Sequence, residues 1–73
     1  MKINITYEAT DTLHVEVYDH TTLEKIEWEG ISTIRHAIRK TKGWMRMFDK
    51  GDQLTAVIWS GTTGEVLVEL SAN

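Results

Sequence analysis

The densest group of chemically active side chains in this 73-residue chain lies between residues 35 and 46. It combines five Lys or Arg side chains with a histidine and a tryptophan: Arg35, His36, Arg39, Lys40, Lys42, Trp44 and Arg46. Cations on one face bind phosphate or carboxylate oxygens, and an adjacent aromatic ring can stack on a nucleic-acid base. This run is therefore the predicted binding site of the chain.

The charge of the rest of the chain contrasts with this run. Residues 31–46 carry five cations and no acid, whereas residues 1–30 have a net charge of −5 and residues 47–73 one of −3. The total of −3 is too small for an acidic mimic of DNA. A structural interpretation stays open, in which the cations form a solvated helix face complementing the acidic first part of the chain, and Trp44 and Phe48 lie in the core.

The remaining polar residues do not indicate an enzyme. His14, His20 and His36 have five and fifteen residues between them, a spacing that is not typical of metal ligands. The chain has no cysteine, and none of its serines lies in a Gly-x-Ser-x-Gly motif. Residues 61–64, Gly-Thr-Thr-Gly, lack the lysine and the following helix of a phosphate-binding loop. We therefore expect no catalytic residues, no metal site and no cofactor.

Several carboxylates recur at alternate positions, as in Glu27 and Glu29. Side chains two residues apart on a strand share one face at a separation of about 7 Å. Nothing in the sequence suggests a cleft that would enclose them, so they are expected to form a solvated strand surface. His14 is likewise expected on the polar face of its strand, beside Glu16.

The elements that must position these side chains follow from hydrophobic periodicity. Alternating patterns predict half-buried strands at residues 2–8 and 13–18, joined as an antiparallel hairpin by a polar link at residues 9–12. A third alternation at residues 25–29 predicts a strand, with a helix beginning at Thr22 as the alternative.

A central amphipathic helix is predicted from about Thr33 to Lys42. Ser32 occupies the expected N-cap, and Gly43 the expected left-handed position that ends the helix. On a helical projection the apolar arc is about 120° wide and contains Ile31, Ile34, Ala37, Ile38 and Thr41. The cations lie on the opposite side.

Three further strands are predicted after the helix. Residues 44–48 would form the first, placing Trp44, Arg46 and Phe48 on one face as a stacking platform, and residues 49–52 would be the hairpin turn that follows. Residues 54–60 are apolar on both faces near their middle, which is typical of a central strand that is covered twice. A turn at residues 61–64 leads into a last strand at residues 65–70.

Together these elements predict a single small α+β domain over residues 1–73, of order ββ(β)αβββ. The expected sheet is mostly antiparallel, strongly curved or barrel-like, and packed on one amphipathic helix. Because one short helix covers only part of one sheet face, the sheet must either curl or pair with another copy, as in a homodimer.

The leading functional expectation is a non-catalytic small interaction module, such as a regulator, inhibitor or assembly subunit, that binds a protein partner or itself. The alternative is a nucleic-acid-binding domain that uses the basic helix face with Trp44 and Arg46. A small hydrolase or transferase is the third and least favoured interpretation. The chain contains no apolar run long enough to span a bilayer and no signal-peptide pattern, so a cytoplasmic location is expected.

Overall fold

A computed structural model describes residues 8–72, which form one open antiparallel sheet and one helix. In chain order the elements are β1 (Thr10–Asp19), β2 (Lys25–Thr33), α1 (Ile34–Met45), β3 (Leu54–Ser60) and β4 (Val66–Ala72). The strand order in the sheet is β2-β1-β3-β4, and each neighbouring pair is antiparallel. The predicted α+β class is confirmed, but the sheet in this part of the chain is not closed, so its description as barrel-like was too strong.

Strand β1 lies inside the sheet, paired with β2 on one side and β3 on the other, and its alternation buries every second residue. Leu13, Val15 and Val17 are fully buried, and the residues between them are only half-buried. The predicted strand at residues 13–18 is confirmed and extends back to Thr10, into the stretch predicted as a polar link. Of the strand predicted at residues 2–8, the structure describes only Glu8, which lies in a turn. The rest of that prediction lies outside the described residues.

The core lies between the sheet and α1. Its buried centre consists of Leu13, Val15, Ile34, Ala37 and Ile58. Half-buried hydrophobic residues pack around this centre, namely Trp28, Ile38, Trp44, Leu67 and Val68. We call the sheet surface that points away from α1 the open face. By strand alternation it carries His14, Glu16, Tyr18, Lys25, Glu27, Glu29, Ile31, Val57, Trp59 and Glu69.

The helix begins later than predicted because β2 is longer than predicted. Strand β2 passes through Gly30 and stays paired with β1 as far as Thr33. Ser32 therefore lies in the strand, and Thr33 is the N-cap, whose hydroxyl accepts a hydrogen bond of 3.1 Å from the backbone N–H of His36. Ile31 was expected on the buried arc of the helix but lies on the open face of β2, where it is 77% exposed.

The helix also ends later than predicted, so the strand predicted at residues 44–48 is wrong. Gly43 is not in the left-handed region, and α1 continues through it to Met45. Glycine within a helix costs about 1 kcal/mol relative to alanine. Continuing the helix brings the large Trp44 side chain against the core, and burying apolar surface of that size more than offsets this cost.

The segment after the helix is a connection and not a hairpin. Residues 49–52 join α1 to β3, so the predicted hairpin turn at that place has no strand before it. The turn residue is nevertheless Gly51, with a left-handed φ of 99°. Helix α1 is the only helix among residues 8–72, and it is neither long enough nor apolar enough to cross a bilayer.

The last two strands confirm the predicted hairpin around residues 61–64. Strand β3 lies between β1 and β4, as its apolar composition predicted, and Leu54, Ala56 and Ile58 face the core. The turn contains Gly64 with a φ of 75°, and its N–H donates to the carbonyl of Ser60. The expected second covering layer is not present in residues 8–72, where no element lies on the open face.

Candidate functional site

The cations predicted to form a binding site lie mainly on the solvent side of α1. Four of them are exposed at helical spacings of four, three and four residues, and we call them the cation stripe: Arg35, Arg39, Lys42 and Arg46. This spacing aligns the four side chains in a row about 16 Å long, in which Arg46 lies directly after the last residue of the helix. His36 is exposed beside the stripe, and α1 contains no acidic residue. Arg35 forms an ion pair with Glu8.

Two members of the predicted site, Lys40 and Trp44, contribute to packing. The Trp44 ring is half-buried, with its centroid 6.3 Å from that of Trp28 on β2. Lys40 is half-buried as well, and its Nζ lies 4.4 Å from the Trp28 ring centroid and 5.7 Å from that of Trp44. Such cation–π contacts stabilise a fold by about 0.5–1 kcal/mol. Since no strand forms at residues 44–48, the predicted stacking platform is not assembled, and half-buried Phe48 lines a cleft.

The open face combines carboxylates with aromatic rings. Four glutamates on it are accompanied by one lysine. Tyr18 and Trp59 are half-buried there, and the Trp59 ring packs on His14 with a centroid distance of 5.1 Å. Aromatic faces attract guanidinium and ammonium groups, and carboxylates form charge-assisted hydrogen bonds with them. The open face therefore has the chemistry of a surface that binds Arg and Lys side chains.

Four side chains of this face form a compact group across the β1–β2 hairpin, which we call the His14 cluster: His14, Glu16, Glu27 and Glu29. His14 lies opposite Glu29 in the strand register, and Glu16 lies opposite Glu27. The Nε2 atom of His14 is 3.8 Å from a Glu27 carboxylate oxygen, and its Nδ1 atom is 3.5 Å from one of Glu29. The sequence prediction treated these residues as separate solvated groups. The sequence does contain a signal for the cluster, because each of two consecutive predicted strands carries a polar pair two residues apart, His14 with Glu16 and Glu27 with Glu29.

A second acidic group lies at the other end of β1, where Asp19 is fully buried. Its Oδ1 accepts hydrogen bonds from the N–H groups of Thr21 (2.8 Å) and Thr22 (3.2 Å). Its Oδ2 is buried as well and has no hydrogen-bond partner among the described residues. Asp52 itself lines a cleft of about 270 Å³ between the β1–β2 turn and the segment after α1.

Asp19 and Asp52 titrate as a pair with opposite shifts. Burial disfavours the charged form of Asp19, but hydrogen bonds from Thr21, Asp52 and Thr22 hold its pKa below the ordinary value of 3.8. The hydrogen bond to Asp19 raises the pKa of Asp52, and desolvation and neighbouring negative charges raise it further. When Asp52 carries a proton, it can therefore donate a hydrogen bond to the buried Asp19 carboxylate.

We predict that Asp52→Asn stabilises the protein at neutral pH, because the amide donates to Asp19 at every pH without adding a charge. Because the pKa of Asp52 in the folded protein is raised above its ordinary value of 3.8, protonation of Asp52 stabilises the fold. This contribution is fully present below pH 3.8 and disappears as the pH rises through the folded-state pKa of Asp52. The gain in free energy of unfolding from Asp52→Asn should therefore grow as the pH rises from 3.8 to the folded-state pKa of Asp52. Urea unfolding of both proteins across this range measures it, and Asp49→Asn is the control. An equal gain at all pH values would contradict the hydrogen bond from protonated Asp52 to Asp19.

These surfaces are the basis for any functional inference about this chain. Comparison of the chain with protein-family models, curated proteins and solved structures finds no match. Of the predicted site residues, five lie together on the exposed side of α1 or directly after it, and Lys40 and Trp44 pack on Trp28. The open face, with its carboxylates and aromatic rings, was not predicted as a site.

Proposed function

We propose that this chain is a non-catalytic interaction module that binds itself head to tail, with the open face of one copy receiving the cation stripe of the next. The observation that supports this proposal is the opposite charge of the two outer surfaces. The stripe consists only of cations, and the open face carries four carboxylates and one lysine. Complementary charges of this kind guide association and set its orientation.

The same charges argue against a symmetric homodimer through the open face. A twofold interface brings the same surface of both copies together, so the carboxylates of one copy would face those of the other. Like charges set against each other are destabilising. A head-to-tail contact avoids this repulsion, and it can repeat from one copy to the next.

The spacing of the charges also fits. Neighbouring cations of the stripe are three or four residues apart on a helix, which corresponds to about 4.5–6 Å along its axis. Carboxylates two residues apart on a strand, such as Glu27 and Glu29, are separated by about 7 Å. The helix of one copy can therefore place several cations of its stripe close to carboxylates of the open face of the next copy at the same time.

The aromatic residues of the open face provide the apolar part of this contact. Tyr18 and Trp59 are half-buried, so each ring retains exposed surface on the open face. Arginine side chains stack on such rings through their planar guanidinium groups and pack their aliphatic stems against apolar surface. Arg39 and Arg46 of the stripe are exposed and can make these contacts.

Sedimentation equilibrium with charge-reversal variants tests the proposal. The wild-type protein should associate at about 20 mM salt and dissociate towards about 300 mM, where exposed charges are screened. Two double variants reverse one surface each. The first replaces both Glu27 and Glu29 by lysine, and the second replaces both Arg39 and Lys42 by glutamate. Each variant alone should be monomeric. A mixture of the two should associate, because each offers a surface that complements the other.

The single variant Glu65→Lys is the control, because it changes the charge in the β3–β4 turn, away from both surfaces. It should associate like the wild type. A wild-type protein that stays monomeric at low salt and high concentration would overturn the proposal, as would variants that do not associate when mixed.

Nucleic-acid binding through the cation stripe is a second candidate, favoured by the exposure of these cations on a helix without acids. Contacts to about four phosphates should weaken with salt at a log–log slope of about −3 to −4. Gel shifts of labelled DNA and RNA at about 50 mM salt measure it. Reversal of Arg39 and Lys42 should abolish binding, and reversal of Glu27 and Glu29 should preserve it. The variant with reversed Glu27 and Glu29 thereby separates nucleic-acid binding from self-association, because it should lose only the latter.

A further inference from the structure

The His14 cluster brings together an imidazole and two carboxylates at distances suited to a metal ion. One ligand atom from each of His14, Glu16 and Glu27 can be chosen so that all three lie within 4.8 Å of one another. Ligands of a tetrahedral zinc ion at about 2.0–2.1 Å are separated by about 3.4 Å. Small rotations of the two glutamate side chains, one half-buried and one exposed, cover the difference.

If Nε2 of His14 binds the ion, the Nδ1 atom of the same ring needs a hydrogen-bond acceptor, as in other metal-binding histidines. The Nδ1 atom of His14 lies 3.5 Å from a carboxylate oxygen of Glu29. In the tautomer with its proton on Nδ1, the ring donates to Glu29 and leaves the Nε2 lone pair free on the side of Glu27. A carboxylate behind a histidine in this way orients the ring and makes it a better ligand.

The sheet holds the backbone of all four residues of the cluster in a fixed arrangement. His14 and Glu16 lie on β1, which is paired on both sides, and Glu27 and Glu29 lie on the adjacent strand β2. The Trp59 ring packs on His14 from the neighbouring strand β3. The ligands therefore project from strands that the fold already holds in place, and binding requires little ordering of the backbone.

The charges of the cluster favour a cation. Glu16 and Glu27 are direct cross-strand neighbours, and like charges in this position destabilise a sheet. Lys25 Nζ lies 3.6 Å from Glu27 and offsets part of this charge. One imidazole nitrogen and two carboxylate oxygens form a ligand set that suits borderline divalent ions such as Zn²⁺ and Cu²⁺, with water in the remaining position.

We propose that the His14 cluster binds one divalent transition-metal ion, with His14, Glu16 and Glu27 as ligands and Glu29 as the residue that positions the imidazole. This inference does not rest on self-association. It can be measured at about 300 mM salt, where association through exposed charges is suppressed.

Calorimetric titration of the full chain with Zn²⁺ tests the site. We expect one ion per chain. Both His14→Gln and Glu27→Gln should weaken binding at least about tenfold, the size of effect known for residues that support a metal site. The matched controls His20→Gln and His36→Gln should bind like the wild type. Circular dichroism verifies that each variant is folded, and exposed Glu27 provides the test if His14→Gln does not fold.

Fluorescence quenching by Cu²⁺ provides a second measurement that locates the ion. Trp59 contacts His14, whereas Trp28 and Trp44 lie on the other side of the sheet. Copper should therefore quench the wild-type protein, and Trp59→Phe should lose most of this quenching. No binding at up to about 1 mM Zn²⁺ would overturn the proposal, because it leaves less than about 4 kcal/mol of binding free energy. Binding that is unchanged in both His14→Gln and Glu27→Gln would overturn it too.

Discussion

Replacing Ile58 by alanine is expected to destabilise the protein by about 2–5 kcal/mol. Ile58 is fully buried in the middle of β3, where it lies opposite Val15 of β1 and Val68 of β4. It belongs to the buried cluster that joins the sheet to α1. Removing its larger side chain leaves a cavity that a sheet paired on both sides cannot close. A domain of this size has only about 5 kcal/mol of stability, so the variant should retain only about 0–3 kcal/mol of it.

Urea unfolding followed by circular dichroism measures this loss, and the chain offers a matched control. Ile31→Ala makes the same chemical change at a position that is 77% exposed. It should change the free energy of unfolding by no more than about 0.5 kcal/mol. Equal losses at both positions would mean that the core is not where the structure places it.

Gly61→Ala is expected to destabilise the protein by about 1–3 kcal/mol because the site has no room for a methyl group. A Cβ at this position would lie 2.9 Å from both the backbone oxygen and Cγ2 of Thr12. The turn cannot move away easily, since the N–H of Gly61 donates to that same oxygen. The Asp11 carboxylate also accepts hydrogen bonds from Ser60 Oγ (3.0 Å) and Thr62 Oγ1 (2.9 Å).

The same substitution at Gly43 should have the opposite sign. A Cβ on Gly43 would meet no heavy atom within 4 Å outside the local helix backbone, and its φ is not positive. Alanine within a helix is favoured over glycine by about 0.5–1 kcal/mol. Thermal unfolding should therefore show a higher midpoint for Gly43→Ala and a lower one for Gly61→Ala. A loss at Gly43 would indicate that the helix ends there after all.

The strands were predictable because alternation of residue types decides directly which side of a strand is buried. The patterns at residues 13–18, 25–29, 54–60 and 65–70 all correspond to strands of the sheet. Alternation does not determine how far a strand extends. Strand β2 continues through Gly30 because β1 provides a partner for it, and this pairing is invisible in the local sequence.

The end of the helix could not be predicted for a related reason. Gly43 is a typical stop signal, and the large side chains that follow it fit a helix or a strand equally well. The decision depended on whether Trp44 would find apolar surface, and that surface is provided by Trp28 on β2. A contact between residues in different elements thus outweighed the local signal.

Only part of the candidate site followed from sequence. The cation stripe was recognisable because its members are close in the chain and share a helical period. The His14 cluster depends on which strands are neighbours, and the prediction had paired residues 13–18 with residues 2–8. The position of Lys40 over Trp28 depends equally on a contact between a helix and a distant strand.

The strand order β2-β1-β3-β4 also has a consequence for how the chain folds. The pairs β1–β2 and β3–β4 are hairpins with short connections, whereas the central pair β1–β3 joins residues separated by β2, α1 and the loop after α1. Contacts between residues distant in sequence form slowly, because the intervening chain must lose its freedom first. We therefore expect the two hairpins to form early and the docking of β1 on β3 to limit the folding rate. The transition state would then contain Val15 against Ile58, at the centre of that pair.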